Sequence, residues 1–129
     1  MGLGKTLISL SWVAAHSKRV LVVCPKVVRR TWVQEAHRFF PGYFKGVELR
    51  PDRLRKEGMP DLSGYNLATV NFASFEKFLP AIAKSGFDTL IIDESHYIKN
   101  EKAQITRAIY SVKKLFAHKI LLSGNGHQK

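Results

Sequence analysis

Five short strand-like segments, the clearest of them a β-branched apolar run, alternate along the chain with helix-period segments. The strand-like segments are RVLVVC (19–24), GVELR (46–50), YNLATVNF (65–72), FDTLIIDE (87–94) and HKILLSG (118–124). Each has the length and residue types of a strand. Between and before them, residues 5–16 space Leu7, Ile8, Leu10, Val13 and Ala14 as on a helix. Residues 27–40 place Val28, Trp32 and Phe39 on one helical side, and Pro41-Gly42 ends that segment. Residues 74–86 read as a helix capped by Ser74 and broken or kinked at Pro80, and residues 101–116 as an amphipathic helix. Residues 51–64, with two prolines and two glycines, read as a polar loop and the best place for mobility. Strands alternating with helices predict an α/β, three-layer fold: a mostly parallel sheet with helices on both faces. In 129 residues this amounts to a single domain.

In open sheets of this kind, ligands bind beyond the carboxyl ends of the strands. The polar residues that close the strand-like segments obey that rule: Pro25-Lys26, Asn71, Asp93-Glu94 and Ser123-Gly124. The chain begins MGLGKT, the end of a phosphate-binding loop of pattern G-x-x-x-x-G-K-[ST]. Gly2 and Gly4 would let backbone N–H groups approach phosphate oxygens, with the positive end of the following helix aimed at them. Lys5 would reach the β- and γ-phosphates, and the Thr6 hydroxyl would bind Mg²⁺. Half a motif is equally met by a chance Gly-Lys-Thr before a helix. LIIDESH (90–96) shifts the balance: two acids at the end of a buried strand repel each other unless a cation compensates. Asp93 would hold Mg²⁺ through water, and Glu94 would orient or deprotonate the attacking water. A helix N-cap is the structural alternative. His96 could link this site to a neighbouring surface, or serve only packing. The other histidines stand at no metal-ligand spacing to Cys24, so a zinc site is not expected.

Charge supplies a second constraint. Lys and Arg number 21 against 10 acids, a net charge of +11. Such a surface attracts polyanions, so nucleic acid is an expected partner. Lys26 is the favoured phosphate contact. Arg29 and Arg30 could contact phosphate or solvate a helix start, and Arg50, Arg53, Arg55 and Lys56 could contact phosphate or be a solvated run. The longest apolar run, Val20–Cys24, is far short of the ~20 residues of a membrane-spanning helix. Its single cysteine fits a reducing, intracellular setting.

The motifs MGLGKT, CPKVVRRTWVQE, VNFASF, DESHYIKN and LLSG resemble, in order, the first ATPase lobe of SNF2-type proteins of helicase superfamily 2. Met1–Thr6 match the end of that family's phosphate loop. Pro25, Trp32 and Glu35 match its Pro-x6-Trp-x-x-Glu pattern, and Asp93, Glu94 and His96 match its DEAH-like box. Ser123-Gly124 match the start of its third motif, although Asn125 and Gly126 stand where the family usually has Thr-Pro. The resemblance implies a RecA-like lobe that binds ATP and Mg²⁺ and a parent motor translocating on double-stranded DNA. It implies Lys26 and Asn71 at the nucleic acid, and His96, Ser123 and Gly124 in coupling the two ligands. It also implies that a first strand would precede Met1 and that a second lobe, in cis or in trans, would complete the ATP site. On that reading the chain is a fragment with little activity alone. The rival readings are a non-catalytic basic nucleic-acid-binding module and a half-motor completed by a separate second-lobe chain. A small P-loop kinase would not need DESH.

Overall fold

The structure is a computed structural model, and it describes residues 2–93, 107 and 112–122. Its elements run α1 (Gly2–His16), β1 (Val20–Cys24), α2 (Arg29–Phe39), β2 (Gly46–Leu49), α3 (Pro51–Glu57), β3 (Leu67–Asn71), α4 (Leu79–Ser85), β4 (Thr89–Asp93) and β5 (His118–Leu122). The five strands form one sheet in the order β2-β3-β1-β4-β5. Every pairing is parallel, with Val20 opposite Leu67 on one side and Thr89 on the other.

Strand side chains alternate between faces, and this chain uses both faces for burial. Val20, Val22 and Cys24 of β1 join Leu67 and Ile91 on one face, beneath Leu10 and Val13 of α1 and Trp32 and Ala36 of α2. Leu21 and Val23 point the other way, with Ala68, Val70, Leu90 and Ile92, into a second cluster. Phe72, Phe75, Phe78, Ala81, Ile82, Val112 and Phe116 cover that side. The three-layer α/β fold expected from the alternation of elements is therefore present.

Three local expectations are corrected. Residues 51–57 are helical: Pro51 occupies the first turn, where its missing N–H costs nothing, and Gly58 at φ +81° ends the helix. The same residues that suggested a loop are this helix's start and stop. Residues 72–78 form two 3₁₀ turns, and α4 begins only at Leu79, so Pro80 starts a helix instead of kinking one. Ser74 lies buried at the end of a 3₁₀ turn and makes no cap. In α1 the buried stripe is Thr6, Ser9, Leu10 and Val13, while Leu7 and Ile8 are exposed, Ile8 at 72%. The helix expected over 101–116 lies mostly outside the described residues.

At the amino-terminal end of the sheet, Arg19 holds the segment after α3. Its guanidinium donates to the carbonyls of Leu62 (2.6 Å) and Tyr65 (2.8 Å) and lies over the Phe87 ring. Asp88 ties the α1–β1 turn to β4 by accepting from the Ser17 hydroxyl and the Lys18 N–H.

Candidate functional site

Helix α1 feeds β1 through a three-residue turn, so it must run back antiparallel to the strands. From Thr6 to His16 it rises about 15 Å, and β1 extends about 13 Å. Thr6 therefore stands level with the carboxyl ends of the strands. The other end of α1 is fixed at their amino ends, where the Trp12 ring makes an edge contact with His118, the first residue of β5. Gly2, Gly4, Lys5 and Thr6 all lie in the first two turns of α1, and the N–H groups of Gly2 and Gly4 belong to the opening turn, which has no acceptor within the helix.

Asp93 is the last residue of β4 and is 8% exposed. Alternation along β4 puts Ile91 and Asp93 on the face covered by α1 and α2. Trp32 of α2 meets Asp93 there: its indole Nε1–H donates to Asp93 Oδ2 at 3.1 Å. Trp32 is 2% exposed, so this is a bond between two groups withdrawn from water. Cys24, at the same level on the neighbouring strand, has its thiol pushed far up by burial, and the nearby Asp93 charge pushes it further. Thr6, 6% exposed on the inner side of α1, occupies the same layer. Thus two buried oxygen donors, Thr6 and Asp93, share one face and one end of the sheet.

Those donors suit a hard divalent cation. Mg²⁺ is typically held by one or two protein oxygens, with phosphates and water completing its shell. Among the described residues no cluster of three or more His, Cys, Asp or Glu could enclose a metal by itself. The donor set thus fits a magnesium ion brought in with a phosphate ligand, and it does not fit a structural metal. Glu94, His96, Ser123 and Gly124 lie outside the described residues.

A second polar region adjoins the first. Lys26, Arg29, Arg50, Pro51, Asp52, Arg55 and Asn71 line a cleft of about 440 Å³. These residues follow the carboxyl ends of β1 and β2, close β3, or lie on α2 and α3. Neighbouring strands lie about 4.8 Å apart, so Asn71 and Asp93, two strands apart, are about 10 Å apart across the sheet. Arg29 is 7% exposed and organises the cleft floor. Its Nη1 donates to Asn71 Oδ1 at 3.0 Å, and its Nε faces Glu48 Oε1 at 3.5 Å. The Thr69 hydroxyl donates to the Arg29 carbonyl from below. With Oδ1 occupied by Arg29, the Asn71 amide is left with its NH₂ as donor. Arg50 is paired with Asp52 through two bonds, and that guanidinium holds the Asp52 carboxyl below the usual carboxylate range. The Lys26 and Arg55 side chains are exposed and have no ionic or hydrogen-bond partner among the described residues. Four cations against Asp52 leave the cleft positive.

The sequence pointed to Lys26 and Asn71 and left Arg29 and Arg55 undecided. Arg29 proves to be an internal brace, whereas Arg55 faces the cleft because the segment expected as a loop is a helix. The Trp32–Asp93 bond was not foreseen.

The sequence model of the SNF2-related domain matches residues 1–128. A SWI/SNF-related matrix-associated actin-dependent regulator of chromatin subfamily A-like protein 1 from Bos taurus is 36% identical over 130 residues, covering 96% of this chain and 13% of the relative. Its homolog from Caenorhabditis elegans is 34% identical over 132 residues, covering 96% of this chain and 18% of the relative. Among solved structures, the Sulfolobus solfataricus SWI2/SNF2 ATPase core in complex with dsDNA superposes with a TM-score of 0.71 at 26% identity, over 96% of this chain and 26% of that one. The chain thus spans less than a fifth of these curated relatives. Its parallel sheet matches the RecA-like core fold of that structure, and with the family match over nearly every residue, this chain belongs to the SNF2-related domain family.

Proposed function

We propose that this chain is the ATP-binding lobe of an SNF2-type motor that hydrolyses ATP to move along double-stranded DNA, and that it needs a second lobe for turnover. The observation that carries the reading is the placement of Asp93, buried at the carboxyl end of β4 on the face shared with Thr6. Lys5 would reach the terminal phosphates, the first-turn N–H groups around Gly2 and Gly4 would cradle them, and Thr6 and Asp93 would hold Mg²⁺. Bound Mg²⁺ would neutralise charge on the phosphates, and Glu94 would aim the attacking water. His96, Ser123 and Gly124 would couple that site to DNA. Lys26 and the Asn71 amide would contact the DNA backbone, with Arg55 beside them; the net positive cleft and the dsDNA complex of the Sulfolobus solfataricus core support this.

Phosphoryl transfer is mainly positioning and charge neutralisation, and an arginine finger supplies ~10³–10⁵ in rate. The family's arginines that complete the ATP site belong to the second lobe. The expected result is therefore nucleotide binding that Lys5→Ala abolishes, with almost no turnover by the chain alone, with or without DNA. Robust DNA-stimulated hydrolysis by the purified chain would refute the need for a second lobe. Activity restored on mixing with a second-lobe polypeptide would favour a half-motor. A second reading, a non-catalytic DNA-binding module, is favoured by the cleft alone. Its mark would be steeply salt-dependent DNA binding with no nucleotide binding.

A further inference from the structure

Trp32 and Asp93 belong to different elements and lie far apart in sequence, yet the indole N–H is spent on a carboxylate and not on a backbone carbonyl. Both groups are nearly inaccessible, at 2% and 8%. Trp32 is also wedged among Leu10, Val22, Cys24 and Ile91, so its ring has little freedom. A rigid donor therefore fixes one oxygen of the carboxylate that closes β4. The broad, shallow χ2 preference of a carboxylate is narrowed by such a bond.

We propose that Trp32 is a positioning residue for the metal-binding carboxylate: its indole N–H, bonded to Asp93 Oδ2, fixes the orientation in which Asp93 meets the magnesium of a bound nucleotide. This rests on the nucleotide reading given above. Partners of this kind, one shell out from the metal, orient the ligand and set its affinity, and their loss typically costs 10–100-fold in metal affinity. Arg29 sits one turn earlier on α2 and holds Asn71 in the same manner. One helix thus presets a residue at each of the two neighbouring sites.

A buried indole satisfied by whatever acceptor lies near is the plain alternative. It makes Trp32 important for stability and irrelevant to magnesium. The deciding experiment measures binding of a fluorescent methylanthraniloyl-ATP to this chain while Mg²⁺ is titrated. Two variants are compared with the wild type: Trp32→Phe, and site-specific replacement of Trp32 by benzothienylalanine, which keeps the ring shape and removes only the N–H. The expected result is a rise of about 10-fold in the Mg²⁺ concentration giving half-maximal binding. Affinity for the nucleotide in EDTA should stay within about two-fold of wild type, because the phosphate contacts of α1 are untouched. An unchanged Mg²⁺ midpoint in the benzothienylalanine protein would overturn the positioning role while leaving the nucleotide site standing. Equal binding by wild type and Lys5→Ala would overturn the nucleotide site itself, and the role of Trp32 with it.

Discussion

Asp88→Asn should destabilise the fold by an amount that depends on pH. Asp88 Oδ1 accepts from the Ser17 and Thr89 hydroxyls, and Oδ2 accepts from the Lys18 N–H at 2.9 Å. Burial by itself pushes this carboxyl up, but the bonds from Ser17, Lys18, Thr89 and the Arg19 N–H together hold it below the usual carboxylate value. An amide keeps one acceptor oxygen and turns the other position into a donor, so about two charge-assisted bonds are weakened. Each is worth ~1.5–3 kcal/mol when shielded. Lys18 is exposed, and solvent screening brings the total loss to about 2 kcal/mol at neutral pH. For 129 residues the unfolding entropy near 60 °C is about 270 cal/mol/K, which turns that loss into a fall of about 7 °C in Tm. The native carboxyl titrates lower than the unfolded one. Its contribution is therefore complete above the unfolded value of about 3.9 and disappears as pH falls through the native value. Thermal melts of both proteins from pH 7 to pH 3 should show the gap between them closing at the acid end. A gap that stays constant across that range, or one below about 0.5 kcal/mol at pH 7, would show that Asp88 does not tie the α1–β1 turn to β4 as an ionised acceptor.

Three further outcomes follow from other parts of the molecule. Arg55→Ala should weaken double-stranded DNA binding and lower the slope of log affinity against log salt by about 1, with stability within about 0.5 kcal/mol of wild type; an unchanged slope would remove α3 from the DNA contact. Arg29→Met should cost about 2 kcal/mol in urea unfolding, because it removes the bond to Asn71 and leaves the part-buried Glu48 carboxylate to the exposed Arg30, and adding Glu48→Gln should recover part of the loss. A single-variant loss below about 1 kcal/mol would deny Arg29 its bracing role. Cys24, buried and with its thiol pushed up, should resist iodoacetamide at pH 8 until the protein is unfolded, and rapid labelling of the native chain would contradict its place in the buried cluster beneath α1 and α2.

Much of this architecture was legible from the sequence because the strands announce themselves. Val20–Cys24 and Leu90–Ile92 are unbroken apolar runs, and both of their faces are buried as such runs require. The helices were harder wherever punctuation had two meanings. Pro51 and Gly58 mark a loop by composition and a helix by position, and only the three-dimensional setting of Leu54, partly buried against the core, decides between them. The buried face of α1 is partly polar, so its apolar spacing discloses the helix and not the face. Polar Thr6 and Ser9 turn inward and apolar Ile8 turns outward, which inverts the usual signal. The members of the site were readable as residue types closing successive strands. Their mutual bracing was not: Arg29 with Asn71 and Trp32 with Asp93 are pairings of distant segments, with no local pattern to disclose them.

The order of strands has a consequence for synthesis. The central strand, β1, is translated before both of its neighbours, for Val20 bonds alongside Leu67 and Thr89. Its neighbour on one side does not exist until the ribosome has passed residue 67, and the other arrives later still. During that interval the nascent Val20–Cys24 segment has both edges bare and every side chain apolar, the profile that chaperones and aggregating chains recognise. Strands β2 and β3 can pair before β4 emerges, so ribosome-bound chains from which β3 but not β4 has emerged should protect β1 on one edge only, and chains from which neither has emerged on neither edge.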